Sequence, residues 1–305
     1  DALESLGEDP SGFVQRLEDM GFYVRRDAMS HDTTTPESSP VQTTRTLRFL
    51  ASELNGGEYV PRDIPYNVAS RMVKQSTTIV ALKELGYEFC NIGSWFAETK
   101  ALAIANRNYS YKGYDLMSLM YGSEFSVAVV DRSILRDVDI SPFLRISDSE
   151  NTVRQAEHLY QKDAIMELAA ENGHSKFVMT HLILPHPPFV WSAEGGDMPS
   201  GLPLMESYLQ QVEFTEDYLV GIVSSVLEYD PNAIIIVQSD EGILFTNPKS
   251  NVGLTEAEWN GVLTAWRIPL SGNATMGTEE LDALEITDIL GFAKDHVSEL
   301  AKASP

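Results

Sequence analysis

The chain holds one cysteine, Cys90, and that scarcity excludes an intrachain disulfide and any cysteine-rich metal site. Basic residues are also few, with 22 lysines and arginines against 45 aspartates and glutamates, for a formal net charge of −23. Such a surface repels nucleic-acid phosphates and anionic lipid headgroups, so nucleic-acid and bilayer-surface binding are set aside, and solubility is the ordinary meaning of the charge. No apolar run approaches the roughly 20 residues of a membrane helix, and the first residues lack the charged-then-apolar pattern of a signal segment. Internal repeats are missing as well. One stretch alone has a biased composition, SHDTTTPESSPVQTT from Ser30 to Thr44, whose Ser, Thr and Pro content predicts a loop.

What is present suits one large globular domain: 305 residues, 43% of them hydrophobic. Helical and strand patterns alternate. Ser11 is placed to cap a helix over GFVQRLEDMGF, followed by a short strand in YVRRDAMS. TTIVALKELGY reads as a helix with a glycine stop, and EFCNIGS as a buried strand. Long helical patterns from about Glu150 to Glu171 and from about Met205 to Glu228 lead into the strands KFVMTHLIL and NAIIIVQ. A further strand is expected near GVLTAWRIP and a closing helix from about Glu279 to Glu299. Strands separated by helices predict an α/β fold with a mostly parallel central sheet covered by helices on both faces.

Two stretches carry chemistry. HLILPHPPFVW places His186 among three prolines, which fix φ and remove backbone donors, so this run is a rigid loop just past a strand. In open α/β sheets ligands bind at that carboxyl edge. The second stretch is AIIIVQSDEG, in which Asp240 and Glu241 emerge at a strand end. It reads either as a solvated turn closed by Gly242 or as a site where a divalent cation offsets two adjacent carboxylates. On that reading the strands ending near Leu184 and Ser239 are neighbours or near neighbours in one sheet, with His186 and Asp240 facing one cleft. His181, further back on its strand, is open between a hydrogen-bonded core histidine and a site residue. Thr43, Thr44 and Thr46 are open as capping residues. Ser94 stands at a strand terminus as a candidate for the pocket wall, and Trp95 beside it for the lining. Asn108-Tyr109-Ser110 and Asn273-Ala274-Thr275 have the form of glycosylation acceptors, a triplet that also arises by chance.

In order, a strand ending in His-x-x-x-x-His-Pro-Pro-Phe, a helix bearing YLQQVEFTEDYL and a strand ending in Ser-Asp-Glu-Gly resemble the alkaline phosphatase and sulfatase superfamily. Within it the chain is most similar to the membrane-anchored, sulfatase-like hydrolases and transferases of bacteria, relatives of lipoteichoic acid synthases and phosphoethanolamine transferases. GFVQRLEDMGFYV, LRFLASELNGGEYV, LKELGYEFCNIGS and LTAWRIP fall where that branch has similar text.

The resemblance implies an alkaline-phosphatase-like sandwich over residues 1–305, acting as a metal-dependent hydrolase or transferase on phosphate or sulfate esters. It implies a covalent ester on Thr46, matched through TLRFLASELN, and that threonine is expected at a helix start, where free N–H groups and the helix dipole favour an oxyanion. Neither Cys90 in CNIGS nor Ser38 in SSPVQ completes the Cys/Ser-x-Pro-x-Arg box of formylglycine sulfatases, which favours phosphoryl chemistry on a threonine. His186 matches a histidine directed at substrate oxygens, with His181 and Ser94 as substrate-binding positions. Asp240, Glu241 and Thr46 match metal ligands. Many members have His where this chain has Glu241, and the harder oxygen donor favours Mn or Mg over Zn. The family's first metal carboxylate lies upstream of text resembling DALESLGEDPSGF. The expectation is therefore a domain lacking its first strand and an upstream membrane anchor, placed on the outer face of the membrane or in the periplasm. The rival expectation is a non-catalytic domain of the same fold that binds an anionic envelope polymer.

Overall fold

The computed structural model describes residues 2–6, 9–29, 39–61, 64–113, 147–240, 242, 261–269 and 289–303. Its helices are α1 (Ala2–Ser5), α2 (Ser11–Asp19), α3 (Ser39–Leu54), α4 (Tyr66–Lys74), α5 (Thr77–Glu84), α6 (Ala97–Lys100), α7 (Ser147–Ala170), α8 (Leu204–Tyr229) and α9 (Ile289–Ala303). Its strands are β1 (Tyr23–Val24), β2 (Glu88–Ile92), β3 (Arg107–Tyr109), β4 (Lys176–Thr180), β5 (Ile235–Gln238) and β6 (Thr264–Arg267). The fold is mixed α/β. Where the sequence pattern led to one central sheet, these strands form two three-stranded sheets, ordered β1-β6-β5 and β3-β2-β4. The chain divides into two compact units, one of Asp1–Phe89, Ala169–Phe177 and Glu216–Pro305, the other of Cys90–Leu168 and Val178–Thr215.

In the first unit β6 pairs antiparallel with both neighbours, setting Tyr23 opposite Trp266 and Gln238 opposite Thr264. The strand AIIIVQ is thus half-buried and antiparallel to its partner, not buried on both faces within a parallel sheet. Phe13 and Leu17, four apart on α2, share a core with Phe22, Val223 and Ala265. Ser11 does not cap this helix. It is the first helical residue, Pro10 is the cap position without a side-chain bond, and Asp9 Oδ1 accepts from the Ser11 amide at 2.9 Å.

On α3, Leu47, Ala51 and Leu54 form a fully or almost fully buried stripe at the spacing of one helix face. This helix begins at Ser39, so the segment expected as a loop through Thr44 is helical over its last six residues. Proline is tolerated in a first helical turn, where its missing N–H has no intrahelical partner to lose, and Pro40 occupies that place.

The second unit holds most of the other sheet. β2 and β3 are parallel, with Cys90 opposite Arg107 and Ile92 opposite Tyr109. β4 lies on the other side of β2. Backbone bonds run from Glu88 N to Ser175 O at one end and from His181 N to Ile92 O at the other, so the carboxyl ends of β2 and β4 share an edge. Cys90 and Ile92 pack with Ala164 and Leu168 of α7, flanked by Tyr109, Ile165 and Val178. β4 ends at Thr180 and β5 belongs to the other sheet. The expectation that the strands before His186 and Asp240 are neighbours or near neighbours in one sheet is therefore not met among the described residues.

Candidate functional site

The carboxyl edge of β2 and β4 gathers a hydroxyl and imidazole cluster. Gly93 extends β2 by one residue, its N–H donating to Tyr109 O at 2.9 Å. A side chain there would press on the Lys100 carbonyl and stand 2.6 Å from the Thr99 carbonyl, so only glycine lets the chain turn so closely. Ser94, buried, accepts from the Phe96 amide at 3.2 Å. Its Oγ lies 3.2 Å from Thr99 Oγ1 and 3.4 Å from His181 Nδ1. Thr99 Oγ1 comes closer to the ring, at 2.8 Å from Nδ1. The Phe96 ring meets His181 edge-on at 5.8 Å. With Nδ1 engaged by hydroxyls and one ring edge braced by Phe96, the imidazole orientation is set. His181 is thus a hydrogen-bonded histidine at the sheet edge, joined to Ser94 as the sequence suggested and to Thr99, which the sequence did not single out.

His186 lies on the proline loop and is exposed. The Leu184–Pro185 and Pro187–Pro188 peptides are cis. Its Nδ1 is bonded to the carbonyl of Pro187, which can only accept, so Nδ1 carries the proton and Nε2 is the nitrogen with the lone pair in the neutral ring. The loop is held from beneath by Gln211 of α8, which is fully buried. Gln211 Nε2 donates to Pro185 O and His186 O, both at 3.1 Å, while its Oε1 accepts from the amides of Val190 at 2.7 Å and Trp191 at 3.2 Å. Trp191 in turn stacks on Phe214 with centroids 4.4 Å apart and donates its indole N–H to His158 Nδ1 at 2.9 Å. Burial, with the nearby Arg154 charge, pushes the His158 pKa down to about 3, so this histidine is a neutral acceptor.

A second buried glutamine serves the other histidine. Gln161 of α7 donates from Nε2 to Gly93 O at 3.0 Å and to His181 O at 2.9 Å, tying the exit of β2 to that of β4. Sequence reasoning missed both glutamines, although a signal exists. Gln161 shares a helical stripe with His158, Ala164 and Leu168, and Gln211 shares one with Thr215, Tyr218 and Ile222, so each is a polar residue on an otherwise buried face.

The remaining predicted residues belong to the first unit. Ser239 closes β5 against the chain before β6, its amide donating to Leu263 O at 2.9 Å and its Oγ accepting from Leu263 N at 2.8 Å, and half-buried Asp240 follows at the strand's carboxyl end. Glu241 lies outside the described residues. Thr46 is the eighth residue of α3, in the helix interior and not at its start, so the free N–H groups of that helix belong to the turn beginning at Ser39. The Thr46 side chain is outside the described residues. Among the described residues no three His, Cys, Asp or Glu side chains gather as a metal site, and no helix is long and apolar enough to cross a membrane. No family model, curated protein or solved structure matches this chain.

Proposed function

We propose that the chain is a metal-dependent hydrolase or transferase of phosphate or sulfate esters, of the alkaline-phosphatase-like α/β sandwich type, acting on cell-envelope or extracellular substrates. The observation that carries the reading is the pair of histidines beyond β4: His181 oriented by Thr99 and Ser94, and His186 presented on a proline-stiffened loop. Rigid presentation at the carboxyl edge of a parallel strand pair is what a site needs to hold an anionic ester in one pose. With its Nδ1 proton committed to Pro187 O, His186 offers Nε2 to the substrate, as an acceptor when neutral and as a donor to an ester oxygen when protonated.

Thr46 is the proposed nucleophile, forming a covalent ester that water or an acceptor alcohol resolves. Asp240, Glu241 and Thr46 offer only oxygen donors, a set that fits Mn or Mg better than Zn. Such an ion lowers a hydroxyl's pKa and neutralises charge on ester oxygens.

The test is turnover of bis(p-nitrophenyl) phosphate by the full-length protein with manganese or magnesium. Metal-dependent hydrolysis is expected, lost in Thr46→Ala and reduced about a hundredfold or more in His186→Ala. Because α3 starts at Ser39, Ser39→Ala is the companion variant. Loss of turnover there, with Thr46→Ala active, moves the nucleophile to the helix start. A protein that cleaves no ester, yet holds an anionic glycan, makes the non-catalytic binding domain the correct reading.

A further inference from the structure

We propose that Gln161 and Gln211 are the positioning residues of the two histidines, each gripping the main chain at one imidazole from a buried helix face. The proposal rests on the reading that His181 and His186 meet the substrate. Both glutamines are fully buried, where a primary amide is costly unless it is bonded. Gln211 is bonded through both its amide atoms, whereas Gln161 is bonded through Nε2 alone and its Oε1 has no partner among the described residues, so what holds Gln161 at that depth is the donor side of its amide. What they bond is specific. Gln161 Nε2 bridges Gly93 O and His181 O, and Gln211 Nε2 bridges Pro185 O and His186 O.

In both cases two carbonyls of irregular backbone converge on one amide group, from one loop at Gln211 and from two strand exits at Gln161. Proline contributes no N–H, so the loop around His186 has few backbone donors with which to anchor itself, and Gln211 supplies the missing donors from outside. At His181 the amide joins two strand exits, so Ser94, which follows Gly93, is kept within reach of the ring it touches. Rigid helices thus set the histidines, and a displacement of about 1 Å at a reacting group is enough to lower turnover about a hundredfold.

The experiment uses Gln161→Met and Gln211→Met in the full-length protein, read by histidine-ring NMR and by steady-state kinetics on bis(p-nitrophenyl) phosphate. The 305-residue chain has six histidines, few enough for the rings to be assigned with His181→Gln and His186→Gln. Gln211→Met should move the His186 ring signal and leave that of His181, and Gln161→Met should do the reverse. In each, kcat per folded molecule should fall about a hundredfold with KM within about threefold of wild type. If a methionine variant does not fold, the leucine variant removes the donor without adding a charge or an O–H, and the same readouts apply.

Ring signals that stay at their wild-type positions, or that weaken together in proportion to the unfolded fraction with kcat per folded molecule unchanged, overturn the proposal. Selective ring shifts in a protein that cleaves no ester uphold the positioning role while rejecting ester cleavage, so the two failures are told apart.

Discussion

Gly93 stands where β2 gives way to the turn carrying Ser94, and its lack of a side chain is a steric requirement, since the nearest atoms are the backbone carbonyls of Thr99 and Lys100. Backbone cannot swing aside as a flexible side chain would, so Gly93→Ala must open the turn and disturb the contacts of Thr99 and Ser94 with His181. Overpacking typically costs 1–3 kcal/mol and occasionally more, and we expect about 3 kcal/mol or greater in urea unfolding, together with a displaced His181 ring signal.

His158 makes a different prediction. Its folded pKa of about 3 lies below the ordinary 6.5, so between those values the unfolded chain binds a proton that the folded chain refuses. Stability from this group is complete above about pH 6.5 and is lost as the pH falls toward 3. The loss reaches about 1.4 kcal/mol per pH unit. Going from pH 7 to pH 5 should therefore destabilise the wild type by about 2 kcal/mol more than His158→Gln, which keeps an acceptor for the Trp191 indole. Equal losses in the two proteins would refute the assignment.

At the scale of elements, Ser76 joins two helices. Its Oγ accepts from the Ile79 amide at 3.2 Å, capping α5, and donates to the carbonyl of Leu54 at the end of α3. Ser76→Ala removes the cap, worth about 1 kcal/mol. It also strips a buried carbonyl of its partner, worth about 1–3 kcal/mol. A total of about 2–4 kcal/mol in chemical denaturation is expected, well above that of an ordinary surface change.

Elements of this kind were legible where a pattern was long. The helices ending at Ala170 and Tyr229 were placed within a few residues because their apolar spacing persists over many turns. The start of α3 was not, because Ser, Thr and Pro signal a loop by composition while a serine and proline pair equally suits a helix start. Pairing was the least legible feature. A run of four β-formers before Gln238 says that a strand is half or wholly buried, but nothing local says that its neighbour is antiparallel β6. Likewise His181 was readable as a polar group near a strand end, whereas Thr99, 82 residues away in sequence, becomes its partner only through the adjacency of β2 and β4.

For the whole molecule, the net charge of −23 sets a background against which any metal must be judged. Like charges repel across the folded surface, and salt shortens their reach from about 8 Å at physiological ionic strength to about 3 Å at 1 M. Sodium chloride should therefore raise the melting temperature of wild type and Asp240→Asn alike, since one carboxylate in 45 acidic residues changes the total little. A divalent ion at a site is a different case. It acts at concentrations too low to screen, and it stabilises by RT ln(1 + [L]/Kd), about 2.7 kcal/mol at a hundredfold excess over Kd. In a background of about 0.5 M sodium chloride, where screening is already strong, submillimolar manganese or magnesium should raise the melting temperature of the full-length wild type further. The same addition should leave Asp240→Asn unmoved. If both proteins gain equally, the ion is acting on the general charge, Asp240 is a solvated turn residue as its local sequence also allows, and metal-assisted ester chemistry at this strand end is refuted.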